Sequence, residues 1–371
     1  MAYSSPRSVP LPTAVRIGLI GSGWMGAFHA ESIVRRVPGA VLSAIADPNI
    51  EFAEALAASL GTALVTASSD DVLADPSIDA VIIASPARFH ADLITQAAVA
   101  GKDIFCEKPA GQDLAELEAA LAEVEAAGVH FQIGFNRRYA ADFQAAKHDL
   151  AAGVVGRPQL LRSLTRDPGT GTIAHAAHVP AWTIFLETLI HDFDTLNWFN
   201  EGAEPVEVHA VADALVEPDL RDEGFLDTAV VTVRYSNGAI GVAEANFSAL
   251  YGYDVRGEVF GSKGMVQAGR ATETAARRYT AEGLGADTPR LNVELFRQAY
   301  TDELADFTAQ VRSRRDGTPS PSNVFSLTPG AADARRALAC ALACIESVQQ
   351  GRPIKVPHDE TAQPIRVYSE L

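Results

Sequence analysis

Between Ala14 and Asp47 the chain runs from a short apolar stretch, Ala14–Ile20 (AVRIGLI), through a glycine turn, Gly21-Ser22-Gly23-Trp24-Met25-Gly26, into a helical stretch, Ala27–Val37. A second apolar run follows, Val41–Ala46 (VLSAIA). A G-x-G-x-x-G that closes a strand and opens a helix permits a tight turn and close approach of backbone N–H groups to a pyrophosphate. It also lets helix and strand pack closely, and the helix N-terminus attracts the phosphates. Asp47 stands 21 positions past the last glycine, at a strand end. A carboxylate there accepts hydrogen bonds from adenosine ribose hydroxyls and repels a 2′-phosphate. The segment therefore predicts a βαβ unit that takes NAD in preference to NADP, with Gly21, Gly23, Trp24, Met25, Gly26 and Asp47 at the cofactor. The plain alternatives are a surface turn and a solvated carboxylate before Pro48.

The alternation continues, which extends the prediction to a parallel, doubly wound sheet. Helices are expected at Glu51–Leu60, Ala91–Ala100 and Leu114–Ala127. Strands are expected near Ala63–Ala67 and at Ala80–Ala84, Asp103–Cys106 and Val129–Phe135. Past Asn136 the rhythm changes. Helices near Tyr139–Ala152 and His191–Asn200 accompany strand-like runs at Gln159–Thr165, Val206–Val216, Thr228–Tyr235, Ile240–Phe247 and Asp254–Phe260, and strands in succession favour antiparallel pairing. Late helices at Val293–Arg312 and Ala331–Gln349 should cover part of this second sheet. The fold class is thus α/β: an N-terminal Rossmann dinucleotide-binding domain plus a C-terminal α/β domain with a large, mostly antiparallel sheet. The expected division is a flexible tail over 1–13, the NAD-binding domain over 14–136, and a substrate-binding and oligomerisation domain over 137–371. The loops at Pro168–Val179 and Ser320–Pro329 are too short to link independent modules. A length of 371 residues suits two cores.

Charge narrows the partners. Thirty Lys and Arg against 47 Asp and Glu leave a net charge of −17, a field that repels nucleic acid, anionic membranes and polyanionic substrates. Three cysteines without a secretory leader point to a reducing, cytoplasmic setting. Cys340 and Cys344, four apart on a helix, lack the second Cys/His cluster of a zinc site, so no metal is expected. No apolar run reaches the ~20 residues that cross a bilayer.

Cys106-Glu107-Lys108-Pro109 follows a strand that should end at the same sheet edge as the glycine turn, where ligands of such sheets gather. A lysine there can stabilise a developing alkoxide and lower the pKa of a neighbouring base. Taken alone, the segment also fits an exposed loop lysine before a turn proline.

Together, Gly21–Gly26, Asp47, Ser85-Pro86 with His90, and Glu107-Lys108-Pro109 resemble the Gfo/Idh/MocA oxidoreductases, across nearly the whole chain. The resemblance implies that Lys108 is catalytic, that the bond to Pro109 is cis, and that Ser85, Pro86, His90 and Glu107 help to hold NAD. Among these enzymes the inositol dehydrogenases are most similar. Gly134-Phe135-Asn136-Arg137-Arg138-Tyr139 resembles their G-F-x-R-R-Y segment, His191-Asp192-Phe193-Asp194 their H-[DE]-x-D, and Tyr251-Gly252-Tyr253-Asp254 their Y-G-Y-D. The resemblance implies that Lys108, His191 and Glu187 surround the reacting hydroxyl. Glu187 and His191 are four apart at a helix start and should face one way. His191 would then take the proton as hydride leaves, Lys108 would keep it neutral, and Glu187 would orient a hydroxyl or the imidazole. Asn136, Arg137, Thr165, Tyr251 and Tyr253 complete the expected substrate contacts; the alternatives are strand-end packing or a subunit contact for the two tyrosines and pairing with surface carboxylates for Arg137.

Two departures widen the substrate class. Glu187 stands where inositol dehydrogenases usually carry Asp, and Thr165 where some relatives place a substrate-binding His. The expectation is NAD-dependent oxidation of a secondary hydroxyl of a small neutral cyclic polyol, inositol-like, by a homo-oligomer, dimer or tetramer. The alternatives are an aldose, a glycoside, a levoglucosan-like anhydrosugar, an NAD-using glycosidase, or a non-catalytic NAD-sensing protein.

Overall fold

The structure, a computed structural model, describes residues 14–61, 64–169, 179–223, 225–272, 274–319 and 328–358. The tail expected over 1–13, and most of the loops at Pro168–Val179 and Ser320–Pro329, lie outside them. Six parallel strands form the first sheet: β1 (Val15–Ile20), β2 (Ala40–Ala46), β3 (Leu64–Thr66), β4 (Ala80–Ile83), β5 (Asp103–Cys106) and β6 (Phe131–Ile133). Their order is β3-β2-β1-β4-β5-β6, so the winding reverses between β1 and β4 and opens a crevice at the carboxyl ends of those strands. Burial on both faces explains why β4, Ala-Val-Ile-Ile, is apolar at every position. One face packs Ile17, Leu19, Ile82 and Phe105 under Ala30 and Ile33 of the helix Trp24–Arg36. The other packs Val81 and Ile83 against Ile94, Ala97 and Leu117.

The second sheet contains β7 (Pro158–Arg166), β8 (Pro205–Asp213), β9 (Thr228–Tyr235), β10 (Ile240–Asn246), β11 (Asp254–Gly261), β12 (Met265–Gly269) and the short β15 (Ile354–Lys355). Its order is β12-β11-β7-β10-β9-β8-β15, antiparallel throughout except for the parallel β7/β10 pair. Burial alternates strictly along β9. The helices Ile190–Phe199 and Ala331–Gln350 cover one face. On the opposite face Met265, Phe260, Leu160 and Ile240 stand in register across four adjacent strands, each about half exposed. A separate hairpin joins β13 (Arg278–Thr280) to β14 (Gly283–Gly285).

Several boundaries differ from those expected, each for a local reason. The first helix starts at Trp24, inside the glycine motif, because extended backbone at Gly23 already serves as its N-cap. The stretch Tyr139–Ala152 divides into a 3-10 turn, Asn136–Tyr139, and a helix, Ala141–Ala151, at an extended Ala140. A π-helical stretch, Ile184–Leu189, precedes the helix Ile190–Phe199, so Glu187 and His191 do not share a regular α-turn. The helix expected over Val293–Arg312 is two, Asn292–Leu295 and Arg297–Asp316. The longer one lies on the first sheet: Leu304, Phe307 and Val311 join the core around Ile17 and Phe105, and the rings of Phe105 and Phe307 meet edge to face at 5.8 Å.

Candidate functional site

The crevice between β1 and β4 opens into two adjoining cavities, both lined by Ala84, Ser85 and Pro86. The outer one, about 920 Å³, runs from Gly21 and Gly23 to Asp47 and Phe52. The three glycines serve different ends. Gly21 has φ +98°, and a Cβ on it would lie 2.7 Å from the Ala84 and Ser85 backbone. A Cβ on Gly26 would lie 2.0 Å from the Gly21 carbonyl oxygen, so this glycine packs the helix onto the turn and does not line either cavity. At Gly23 a Cβ would meet nothing within 4 Å, which leaves the exposed start of the helix open to a pyrophosphate. Asp47 accepts hydrogen bonds from Ser22 N and Oγ at 2.7 and 2.8 Å and from Asn49 N at 2.8 Å, which fixes its carboxylate at the far end. This cradle fits a dinucleotide.

The inner cavity, about 360 Å³, brings together residues from both sheets. Trp24 and Met25 border it from the glycine turn, and His90 lies beneath Ser85. His90 is buried, with one ring nitrogen 2.7 Å from the Pro109 carbonyl oxygen and the other 2.7 Å from that of Ser85, so it ties two loops of the cofactor edge together. The Lys108–Pro109 bond is cis. Lys108 Nζ donates to Glu187 Oε2 at 2.7 Å and to the Glu187 carbonyl oxygen at 3.2 Å. Burial alone would lower the lysine's pKa, but the carboxylates of Glu187 and Glu107 outweigh it and hold the ammonium form above its usual range. Glu187 therefore engages the lysine, not the imidazole. His191 also lines the cavity, and its Nδ1 is buried without a partner among the described residues. Burial first, then the charges of Arg137 and Lys108, push its pKa well below the ordinary value, so the imidazole is neutral at neutral pH.

Arg137 and Thr165 line the cavity, yet their polar groups are already engaged. Arg137 pairs with buried Asp192 at 2.8 Å and donates to Thr165 Oγ1 at 2.6 Å, while that hydroxyl donates to Asp192 Oδ2 at 2.7 Å. The next arginine, Arg138, forks onto Asp194 at 2.5 and 3.0 Å. The tandem arginines of the 3-10 turn are thus matched to two aspartates that flank Phe193 on the helix, and they lock the two sheets' units together. Asn136 borders the cavity. So does Tyr253, whose hydroxyl donates to Asp167 at 2.7 Å. Tyr251 does not reach the cavity: it is half exposed in the turn before β11, and its hydroxyl donates to Asp254 at 2.8 Å, because Gly252, at φ +130°, breaks the extended backbone that would put positions 251 and 253 on one side.

The reading of the sequence missed Asn292, Phe296 and Tyr300, which close the cavity from the short helix Asn292–Leu295 and the start of the next. Their pattern is that of ordinary helix termini, and only the return of this segment to the first sheet brings them to the site.

Two family models match the chain: the oxidoreductase family with an NAD-binding Rossmann fold over residues 15–135, and the GFO/IDH/MocA C-terminal domain over residues 143–267. The oxidoreductase YrbE of Bacillus subtilis is 36% identical over 344 residues, covering 92% of this chain and 97% of that protein. The scyllo-inositol 2-dehydrogenase (NAD(+)) of the same organism is 34% identical over 342 residues, covering 92% and 96%. Among solved structures, scyllo-inositol dehydrogenase from Lactobacillus casei with bound NAD(H) and scyllo-inositol superposes with a TM-score of 0.85 at 28% identity, covering 92% of this chain and 99% of that one.

Proposed function

The chain belongs to the Gfo/Idh/MocA oxidoreductases and is an NAD-dependent dehydrogenase, and from that premise we propose that it oxidises a secondary hydroxyl of a cyclic, inositol-like polyol to a ketone. One observation carries the reading: Lys108, Glu187 and His191 converge on a single small cavity that adjoins the dinucleotide cleft. NAD, when bound, supplies the acceptor for the hydride. The remaining steps fall to the protein. His191, held neutral, takes the hydroxyl proton as the carbon is oxidised. The Lys108 ammonium donates a hydrogen bond to the same oxygen and stabilises its developing charge. Glu187 keeps that ammonium in place until a substrate hydroxyl enters the pair, then accepts a bond from a neighbouring hydroxyl. Asn136 and Tyr253 supply polar atoms or ring surface on the cavity wall, and Arg137, Thr165 and His90 hold other groups in position.

A neutral polyol suits this cavity because the lysine and the arginine among the described residues that line it are already paired with carboxylates, Lys108 with Glu187 and Arg137 with Asp192. We assign residues 14–136 to NAD and 137–371 to substrate and assembly, with the helix Arg297–Asp316 returning to the first unit. The cytoplasmic assignment rests on the free, buried thiols of Cys106, Cys340 and Cys344. No helix among the described residues is long and apolar enough to cross a membrane.

The test is a panel of inositols, aldoses and glycosides with NAD and NADP, followed by reduced-cofactor absorbance. Accumulation of NADH with an inositol is expected. Oxidation of none of these compounds would overturn the proposal, as would product formation with NADH returned to NAD, the signature of a hydrolase. Equal use of NADP would remove the role given to Asp47.

A further inference from the structure

From Glu107, on the wall of the inner cavity beside Lys108, a group of ionisable side chains that the hydride step does not use runs into the interior. His29 from the helix Trp24–Arg36, Glu107 from the end of β5 and Glu303 from the helix Arg297–Asp316 place their ring nitrogen and carboxylate oxygens within 4.8 Å of one another. All three are buried, at 0%, 7% and 0% exposure. Glu107 is fully engaged: its Oε1 lies 2.7 Å from His29 Nε2, and its Oε2 accepts from Lys108 N at 3.1 Å. Glu303 is not. Neither of its carboxyl oxygens has a partner among the described residues, and His29 Nδ1 is likewise unmatched.

An ionised carboxylate in a site closed to solvent needs donors or a counter-charge, and two carboxylates side by side cannot both ionise without one. The groups around Glu303 offer little. Gln132 donates to its backbone oxygen and not to its side chain, Tyr139 donates to Asp306, and Tyr300 stacks edge-on against His29. The Lys108 ammonium donates to Glu187, and the His29 ring meets Glu107 through Nε2. We propose that Glu107 and Glu303 hold one proton between them, carried on Glu303, so that the interior presents a single negative charge, on Glu107, to the lysine of the active site. Burial and the Glu107 charge both act on Glu303 in that direction, and the bonds from His29 and Lys108 act on Glu107 in the other. Kept neutral, Glu303 leaves the lysine facing one carboxylate from behind and Glu187 from the front, a balance a second buried charge would upset. His29 fixes Glu107 in place.

This inference rests on the role proposed for Lys108, but its test does not depend on a substrate. The infrared spectrum of the NAD-loaded protein at neutral pH should contain the carbonyl stretch of a protonated carboxyl group, absent from Glu303→Gln. Because an amide resembles a neutral carboxyl, Glu303→Gln should keep kcat/KM within about threefold and leave its pH profile in place, a threefold change being under 1 kcal/mol. If Glu303→Gln does not fold, labelling the wild type with isotopic glutamate identifies the same band. Absence of the band overturns the proposal. So does a shift of the pH profile by a full unit in Glu303→Gln, or one equivalent of a divalent cation on the purified protein, which would make the cluster a metal site. A chain that oxidises no polyol yet shows the band would leave the shared proton standing and remove only the activity.

Discussion

At the scale of single residues, the chemistry proposed here depends on two protonation states set by neighbours rather than by the side chains themselves. His191 is kept neutral by burial and by the positive charges of Arg137 and Lys108. Its base form therefore persists below the ordinary imidazole pKa of about 6.5. The acid limb of kcat/KM should accordingly fall below that value, and in Lys108→Met, with one of those charges removed, the residual activity should have its limb displaced to higher pH. Each of Lys108→Met and His191→Ala should lower kcat by roughly 10²–10⁴-fold, the usual worth of a proton-transfer partner. Retained turnover in both would sink the mechanism. The depressed histidine also fixes the sign of a stability effect. The unfolded chain binds the proton more readily, so this residue adds no instability above about pH 6.5 and destabilises the fold progressively below it. Lys108 and His191 line the same cavity, and the family resemblance, not residue type alone, made them legible in the sequence. The Lys108–Glu187 contact was not, because the two positions are distant along the chain and meet only when the sheets are apposed.

At the scale of elements, the strand–turn–helix at residues 15–36 accounts for its own glycines, and two of them make opposite predictions. Gly23→Ala meets no atom, so the protein should fold with an unchanged Tm, yet the added methyl stands where the pyrophosphate must approach, and NAD affinity should drop at least tenfold by fluorescence titration. Gly26→Ala would force a methyl to 2.0 Å from the Gly21 carbonyl oxygen, so it should lower Tm by several degrees and bind NAD poorly. Equal effects on Tm would refute this division of labour. The parallel sheet and its helices were readable because period and burial agree in them. The divisions at Ala140 and Phe296, and the π-helical stretch at Ile184–Leu189, were not, since each leaves the apolar pattern unbroken while altering the backbone. The tandem arginines of the 3-10 turn carried a readable family likeness, but their pairing with Asp192 and Asp194 needed the packed helix.

At the scale of the whole molecule, the open face of the second sheet is the largest feature that a lone chain leaves unexplained. Met265, Phe260, Leu160 and Ile240 form an apolar row across four strands, with Val230 and Val211 also exposed on the neighbouring β9 and β8. Such a face is expected to be covered by a second copy, giving the homo-oligomer proposed from the sequence. Ile240→Glu with Phe260→Glu should yield monomers by sedimentation while the cavity at the other side of the molecule still binds NAD. A wild type that sediments as a monomer would overturn the assembly. By itself the sequence determined what is local: a strand-turn-helix that cradles a pyrophosphate, an acidic strand end, a lysine at the sheet's carboxyl edge, and the order of strands and helices, all of which follow from spacing within a few residues. Only the tertiary structure decided which of those residues touch. The helix Arg297–Asp316 returns to the first sheet and brings Tyr300 to the cavity and Glu303 behind Glu107, contacts that depend on about 190 residues of intervening chain and leave no mark on local periodicity.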